Sequence, residues 1–154
     1  ALEALVEAHQ ATGLSIVGVQ EVPPAHVSRY GIVSAPTDPT QAWAVTRIVE
    51  KPSPEEAPSR FAVVGRYVLA PEVFEHLAAL EPGVGGEYQL TDALMKLAEA
   101  GRLMACPIPA KRYDTGNKLD YLKANVEFAL KREDLGEAFR AYLREIVSQD
   151  QTAR

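Results

Sequence analysis

An α/β layer built on a mixed sheet is the fold class that this chain predicts, and three observations carry it. Short segments rich in β-branched residues alternate with helical apolar stripes along the chain. Some connections between neighbouring strands are too short for the crossover that a parallel pair requires, so part of the sheet must be antiparallel. No internal repeat and no clear linker divides the 154 residues, a length that supports one domain, 1–154, with a real core.

Leu2, Leu5, Val6 and Ala8 form a helical stripe that stops at Gly13. Ser15 to Gln20 is a strand rich in β-branched residues, closed by Pro23-Pro24. His26 to Arg29 is one helical turn, and Tyr30-Gly31-Ile32-Val33 is a second short strand. Ala35 to Thr40 carries turn chemistry, and Ala42 to Glu50 is a third strand, antiparallel to the second. Ser53-Pro54-Glu55-Glu56 has a serine cap, a first-position proline and a third-position glutamate, a helix start that Pro58 keeps short. Phe61 to Leu69 is a long strand whose Gly65 marks a bulge or a close backbone approach. Pro71 opens a helix to Leu80, and Pro82 to Gly86 is a mobile connection without the spacing of a phosphate loop. Thr91 to Ala100 is a helix, Leu103 to Ile108 a strand, and Arg112 to Asn117 a strand end followed by a tight turn. Leu119, Leu122, Val126 and Leu130 form one apolar helix face, and Leu135, Phe139, Leu143 and Val147 mark a final amphipathic helix from Asp134 to Val147.

Hydrophobic residues make up 47% and charged residues 24%, an ordinary globular composition. A net charge of −5 gives no global footprint for nucleic acid, although a few lysines suffice for a local phosphate site. The apolar runs are too short to span a membrane, and no secretory signal opens the chain. Cys106, the one cysteine, lies among apolar neighbours and reads as a core thiol; making no internal disulfide, it fits a reducing, cytoplasmic setting or says nothing of the compartment. The chain starts at Ala1, without methionine and already in helical sequence, and so reads as a piece excised from a longer protein.

Glu50-Lys51-Pro52 is the most informative feature. Proline favours extended geometry in the residue before it, and successive strand side chains point to opposite faces. Glu50 and Lys51 are therefore expected to diverge. The carboxylate would accept bonds from hydroxyls and the ammonium would meet a phosphate, the two ends of a sugar phosphate. A solvated charge pair is the alternative. Asp114, expected between a strand end and a helix, offers the hard oxygen that Mg2+ prefers; its alternative is an aspartate bonded to its own turn. Gly31 lets its backbone approach a ligand, or is a plain turn glycine. Glu87 and Asp92 bracket a helix start and serve either a site or, preferably, the cap. His9, His26 and His76 show no metal-ligand spacing, no serine has a nucleophile-elbow context, and Trp43 and the tyrosines read as packing.

Taken in order, Tyr30-Gly31-Ile32-Val33, Ile48-Val49-Glu50-Lys51-Pro52, Val64 to Leu69, Glu87-Tyr88-Gln89-Leu90-Thr91-Asp92-Ala93 and Tyr113-Asp114-Thr115-Gly116-Asn117-Lys118 closely resemble the C-terminal half of the bacterial UTP–glucose-1-phosphate uridylyltransferase family. The resemblance spans nearly the whole chain. Glu-Lys-Pro alone marks only the wider sugar-nucleotidyltransferase superfamily; the Gln-Leu-Thr-Asp and Gly-Asn-Lys elements favour the glucose uridylyl branch. It implies the C-terminal part of a Rossmann-like nucleotidyltransferase, a mixed β-sheet flanked by helices with a C-terminal helical segment. It further implies attack of the glucose 1-phosphate phosphate on the α-phosphorus of UTP, giving UDP-glucose and pyrophosphate, with positioning and charge neutralisation as the main catalytic devices. In that frame Glu50 accepts bonds from glucose hydroxyls, Lys51 holds the sugar-proximal phosphate as both binding and catalytic residue, the Gly31 backbone contacts the sugar, and Asp114 lies near Mg2+, directly or through water.

Asp120, where a small residue is expected, and Tyr88, in place of an aliphatic one, depart from the pattern without touching the site. The family's glycine-rich nucleotide loop with its Gly-Thr-Arg segment, and its principal magnesium aspartate, have no counterpart here and would lie upstream. The expectation is a fragment, without the nucleotide-binding half, that does not turn over alone. Open strand edges and the last helix would favour a homo-oligomer. The base is read by the absent half, so a thymidylyl or adenylyl transferase fragment remains an alternative, as does a non-catalytic module that binds a sugar phosphate or only oligomerises.

Overall fold

The computed structural model describes residues 2–82 and 86–152. Gly83, Val84 and Gly85, within the expected mobile connection, lie outside the described residues. The chain divides into two compact units, 1–110 and 111–154.

The first unit runs α1 (Leu2–Thr12), β1 (Ser15–Glu21), a 3₁₀ helix (Pro24–Arg29), β2 (Gly31–Val33), β3 (Trp43–Ala44), β4 (Ile48–Glu50), β5 (Phe61–Val68), α2 (Val73–Ala78), α3 (Leu90–Glu99) and β6 (Leu103–Pro107). Among the described residues the strands form one sheet in the order β3-β6-β1-β5-β2-β4. β1 and β6 are parallel, and every other neighbouring pair is antiparallel, so the sheet is mixed as expected. Alternation along β1 explains its central place. Val17 and Val19 enter the core shared with Ala93, Leu94 and Leu97 of α3, while Ile16 joins Leu5 of α1. Helices thus cover both faces of the middle strand, whose Ile16, Val17 and Val19 are fully buried. Burying each such aliphatic side chain stabilises by about 1.5–3 kcal/mol.

Two local expectations survive, at Gly65 and Cys106, while the short helix expected from Ser53 is only a turn. Gly65 has φ +69°, and three residues of β5 between Val63 and Tyr67 face the single Gly18 of β1, which is a bulge. Glu56 Oε2 accepts from Ser53 N–H at 3.3 Å and Ser53 Oγ at 2.9 Å, closing the single turn before Pro58. Cys106 is buried, and burial pushes its thiol pKa up.

The strand expected over 42–50 is instead two strands that serve opposite edges of the sheet. β3 pairs with β6 and β4 with β2. Ser34 causes the break. Its Oγ accepts from Thr46 N–H at 3.1 Å and Arg47 N–H at 3.2 Å, taking donors that a continuous ladder would need. Trp43 closes the same corner: its Nε1–H donates to Ser34 O at 2.8 Å, and its ring meets Phe61 edge-on at 5.2 Å.

The second unit holds α4 (Lys118–Leu130) and α5 (Gly136–Thr152), which pack together. Asn117 caps α4, its Oδ1 accepting from Leu119 N–H at 3.0 Å and Asp120 N–H at 3.1 Å. The α4 apolar face is only partly used. Ala124 is buried, whereas Leu119 and Leu122 are each 60% exposed. On α5, Tyr142, Ile146 and Val147 are exposed too.

Candidate functional site

Three motifs far apart in sequence meet at one point of the first unit. The antiparallel register sets Gly31, at the start of β2, directly opposite Glu50, at the end of β4. Cross-strand partners on one face lie close enough for a long side chain to reach over its neighbour. Glu50 does so: a Cβ added at Gly31 would lie 3.1 Å from Glu50 Oε2 and 3.6 Å from Thr91 Oγ1. Thr91, the second residue of α3, donates its hydroxyl to Glu50 Oε2 at 2.6 Å. The carboxylate therefore sits beside the positive end of a ten-residue helix. Burial first, and then the Glu50 charge, push the Tyr67 phenol of β5 up from its ordinary value.

Lys51 overturns two expectations. It does not leave the sheet extended: its φ is +45°, the left-handed region, alone among the described non-glycine residues. Nor does its side chain diverge from that of Glu50, because Nζ stands 3.8 Å from Glu50 Oε1. The two corrections are linked. Lys51 N–H still donates to Tyr30 O at 2.9 Å, so the ladder continues one step past β4 before the chain turns off. A left-handed residue breaks the strand alternation and swings its side chain back towards that of Glu50. This geometry costs an L-residue roughly 1–2 kcal/mol. The separation is too long for a direct hydrogen bond, and the Lys51 side chain is 62% exposed. Its ammonium remains open to an anion.

Asp114 is placed differently from expectation. Residues 111–114 are not a strand; β6 ended at Pro107. Without strand pairing, Asp114 bonds its own turn, Oδ1 accepting from Gly116 N–H at 3.0 Å, and it is exposed. That is the turn-bonded alternative weighed from the sequence. Nearby, Glu127 accepts from both Lys111 and Tyr113. The lysine bond, then the tyrosine bond, hold the Glu127 carboxyl below the usual carboxylate range. Among the described residues no three His, Cys, Asp or Glu side chains are grouped to hold a metal ion. Asp114 can contribute at most a single carboxylate, compatible with Mg2+, which takes one or two carboxylates and leaves its other positions to water and phosphate.

Capping by Glu87 and Asp92 is not what the α3 start uses. Gln89 is the cap residue without a side-chain bond to the helix, and Glu87 Oε2 accepts from Gln89 Nε2 at 3.1 Å. Asp92 lies exposed in the first turn, where its charge favours the helix dipole as expected. The residue that reaches the site is Thr91, which reading the segment as a cap passed over. Its signal was a hydroxyl in the first turn of a helix inside a motif already singled out.

A mixed sheet with helices on both faces, and a glycine, an acid and a lysine gathered at one edge, fit a nucleotidyl-transferase class of domain. The family model described as nucleotidyl transferase matches residues 1–131, and the chain belongs to that family. Among curated proteins, a UTP–glucose-1-phosphate uridylyltransferase of Staphylococcus saprophyticus is 40% identical over 146 residues, covering 95% of this chain and 50% of its own length. One from Bacillus subtilis is 38% identical over 150 residues, covering 97% of this chain and 51% of its own length. The chain thus spans about half the length of these relatives. Among solved structures, a UDP-glucose pyrophosphorylase from Acinetobacter baumannii superposes with a TM-score of 0.79 at 32% identity, over 94% of this chain and 50% of that one. A UDP-glucose pyrophosphorylase complexed with UDP-glucose superposes with a TM-score of 0.73 at 38% identity, over 82% and 48%. The expected α/β fold and the wider nucleotidyltransferase family are both met.

Proposed function

We propose that this chain forms the sugar-phosphate-binding portion of a UTP–glucose-1-phosphate uridylyltransferase, in which glucose 1-phosphate attacks the α-phosphorus of UTP to give UDP-glucose and pyrophosphate. The convergence of Gly31, Glu50 and Thr91 beside the open Lys51 ammonium carries the reading. Glu50 accepts from glucose hydroxyls chiefly through Oε1, since Oε2 already accepts from Thr91. The Gly31 backbone lies against the sugar. Lys51 holds the phosphate, lowering the repulsion between two anionic reactants and fixing the attacking oxygen. Nucleotide recognition is assigned to the half of the enzyme that this portion does not supply.

Mg2+ belongs to the same reading, with Asp114 as its protein ligand here. The ion, when bound, neutralises phosphate charge during transfer. Cytoplasmic residence and self-association complete it. A free buried thiol suits a reducing compartment, and the exposed apolar side chains of α4 and α5 favour a homo-oligomer. Light scattering that finds a strict monomer at high concentration would count against the oligomer. Among the described residues no helix is long and apolar enough to cross a membrane.

Because the chain spans half of its relatives' length, binding is the property to assay on it. Titration with glucose 1-phosphate is expected to show Glu50→Ala and Lys51→Ala each weakening binding by about 1.5–3 kcal/mol, the worth of a hydrogen bond to a charged group. Equal affinity in wild type and both variants would remove the site.

A further inference from the structure

We propose that Thr91 is a positioning residue that divides the labour of the Glu50 carboxylate, and that Gly31 is glycine in order to leave room for it. The inference rests on the reading of Glu50 as the acceptor for sugar hydroxyls.

The Thr91 hydroxyl reaches Glu50 Oε2 at 2.6 Å across 41 positions of sequence, at a partly buried point. Its backbone is anchored, because Ala93, Leu94, Leu97 and Ala98 fix α3 in the main core. The donor is therefore rigid while the acceptor sits on a long, rotatable side chain. A glutamate free to sample its rotamers loses that freedom on meeting a ligand, which weakens binding. The Thr91 bond removes much of that freedom beforehand.

Geometry also sets which oxygen is left. Oε2 already accepts from Thr91, while Oε1 stands 3.8 Å from Lys51 Nζ, beyond hydrogen-bond distance. The free oxygen thus lies on the side of the phosphate-binding ammonium, so one sugar phosphate spans both groups. Gly31 completes the device. A methyl group there would meet Thr91 Oγ1 at an ordinary 3.6 Å but Glu50 Oε2 at 3.1 Å, so the bonded carboxylate would have to give by a few tenths of an ångström. Thr91 in this role sharpens the choice of sugar and leaves phosphate affinity alone.

The test is calorimetric titration of the chain with glucose 1-phosphate and, separately, with inorganic phosphate. Wild type is expected to prefer glucose 1-phosphate. Thr91→Val should weaken glucose 1-phosphate by about tenfold, the scale of one lost charged hydrogen bond, and leave inorganic phosphate unchanged. Thr91→Ser, which keeps the hydroxyl, should stay within about twofold of wild type. In a Glu50→Ala background, Thr91→Val should add nothing. If Thr91→Val binds like wild type while Glu50→Ala does not, the positioning role is overturned and the sugar-phosphate site stands. Equal weakening by Val and Ser, or a parallel loss of inorganic phosphate, makes the role merely structural and also overturns it. If Glu50→Ala binds like wild type, or wild type does not prefer glucose 1-phosphate, the site itself falls and Thr91 with it.

Discussion

Glu50 and Asp114 are both acids that the sequence placed at the end of an element, yet their surroundings differ in kind. Glu50 faces a glycine on the neighbouring strand and takes a hydroxyl from a helix 41 positions away. Asp114 is held within its own turn, by Gly116 N–H. The same contrast runs through the two units around them. The first packs apolar cores on both faces of a sheet, though Phe74 and Tyr88 stay exposed, and the second leaves Leu119, Leu122 and Tyr142 in solvent. Long-range contacts, not the presence of a carboxylate, separate a pre-organised site from a turn.

The largest effect expected from this contrast is on stability. Leu97→Ala, in the core of the first unit, should cost about 2–5 kcal/mol by urea denaturation. Leu122→Ala, on the exposed face of α4, should stay within about 0.5 kcal/mol. Comparable losses would mean that the α4 face is covered in solution, as a homo-oligomer would cover it.

Lys51 tests whether function holds strain in the first unit. Its φ of +45° suits glycine, so Lys51→Gly should raise stability by up to about 1 kcal/mol while weakening glucose 1-phosphate. A destabilised variant would show that the ion pair with Glu50 outweighs the backbone strain. A smaller effect is expected at Asp114. Asp114→Asn keeps an acceptor for Gly116 N–H, so thermal stability and inorganic phosphate affinity should hold, and only binding that depends on Mg2+ should fall. Loss of stability in this variant would make the carboxylate structural.

The smallest effect lies in the second unit and is read by pH. Glu127 is depressed by Lys111 and then Tyr113. A carboxylate depressed on folding contributes stability above its unfolded pKa, and that contribution fades as pH falls through the lower folded value. The Lys111 ammonium and Tyr113 phenol are both raised, chiefly by the bond to Glu127. Their contributions are present below the unfolded values and fade as pH rises through the folded ones. The melting temperature of wild type should exceed that of Glu127→Gln at neutral pH, and the gap should close in acid below the carboxylate range. An unchanging gap would place the stabilisation elsewhere.

What the sequence made legible was local. The β-branched run of β1, the bulge at Gly65 and the serine–glutamate turn at 53–56 are each set by residues within a few positions of one another. Pairing of β2 with β4 followed from the turn between them and brought Gly31 opposite Glu50. The missed features depend on distant partners. The break at 45–47 exists because Ser34 Oγ reaches across to take two backbone donors. The left-handed φ of Lys51, one step past β4 where its N–H still bonds Tyr30 O, is encoded by no propensity. The neighbours of Asp114 suit a strand, but residues 111–114 form none. Thr91 was visible as a motif letter, and its role emerged only when α3 delivered its hydroxyl to another motif's acid.

Soaking crystals of this chain with glucose 1-phosphate reads the centre of the site directly. Glu50 Oε1 should accept from a glucose hydroxyl and Lys51 Nζ should meet the phosphate, both within about 3.2 Å, with the Thr91 bond to Oε2 intact. A ligand seated elsewhere, with Glu50 and Lys51 turned to bulk water, would contradict the assignment.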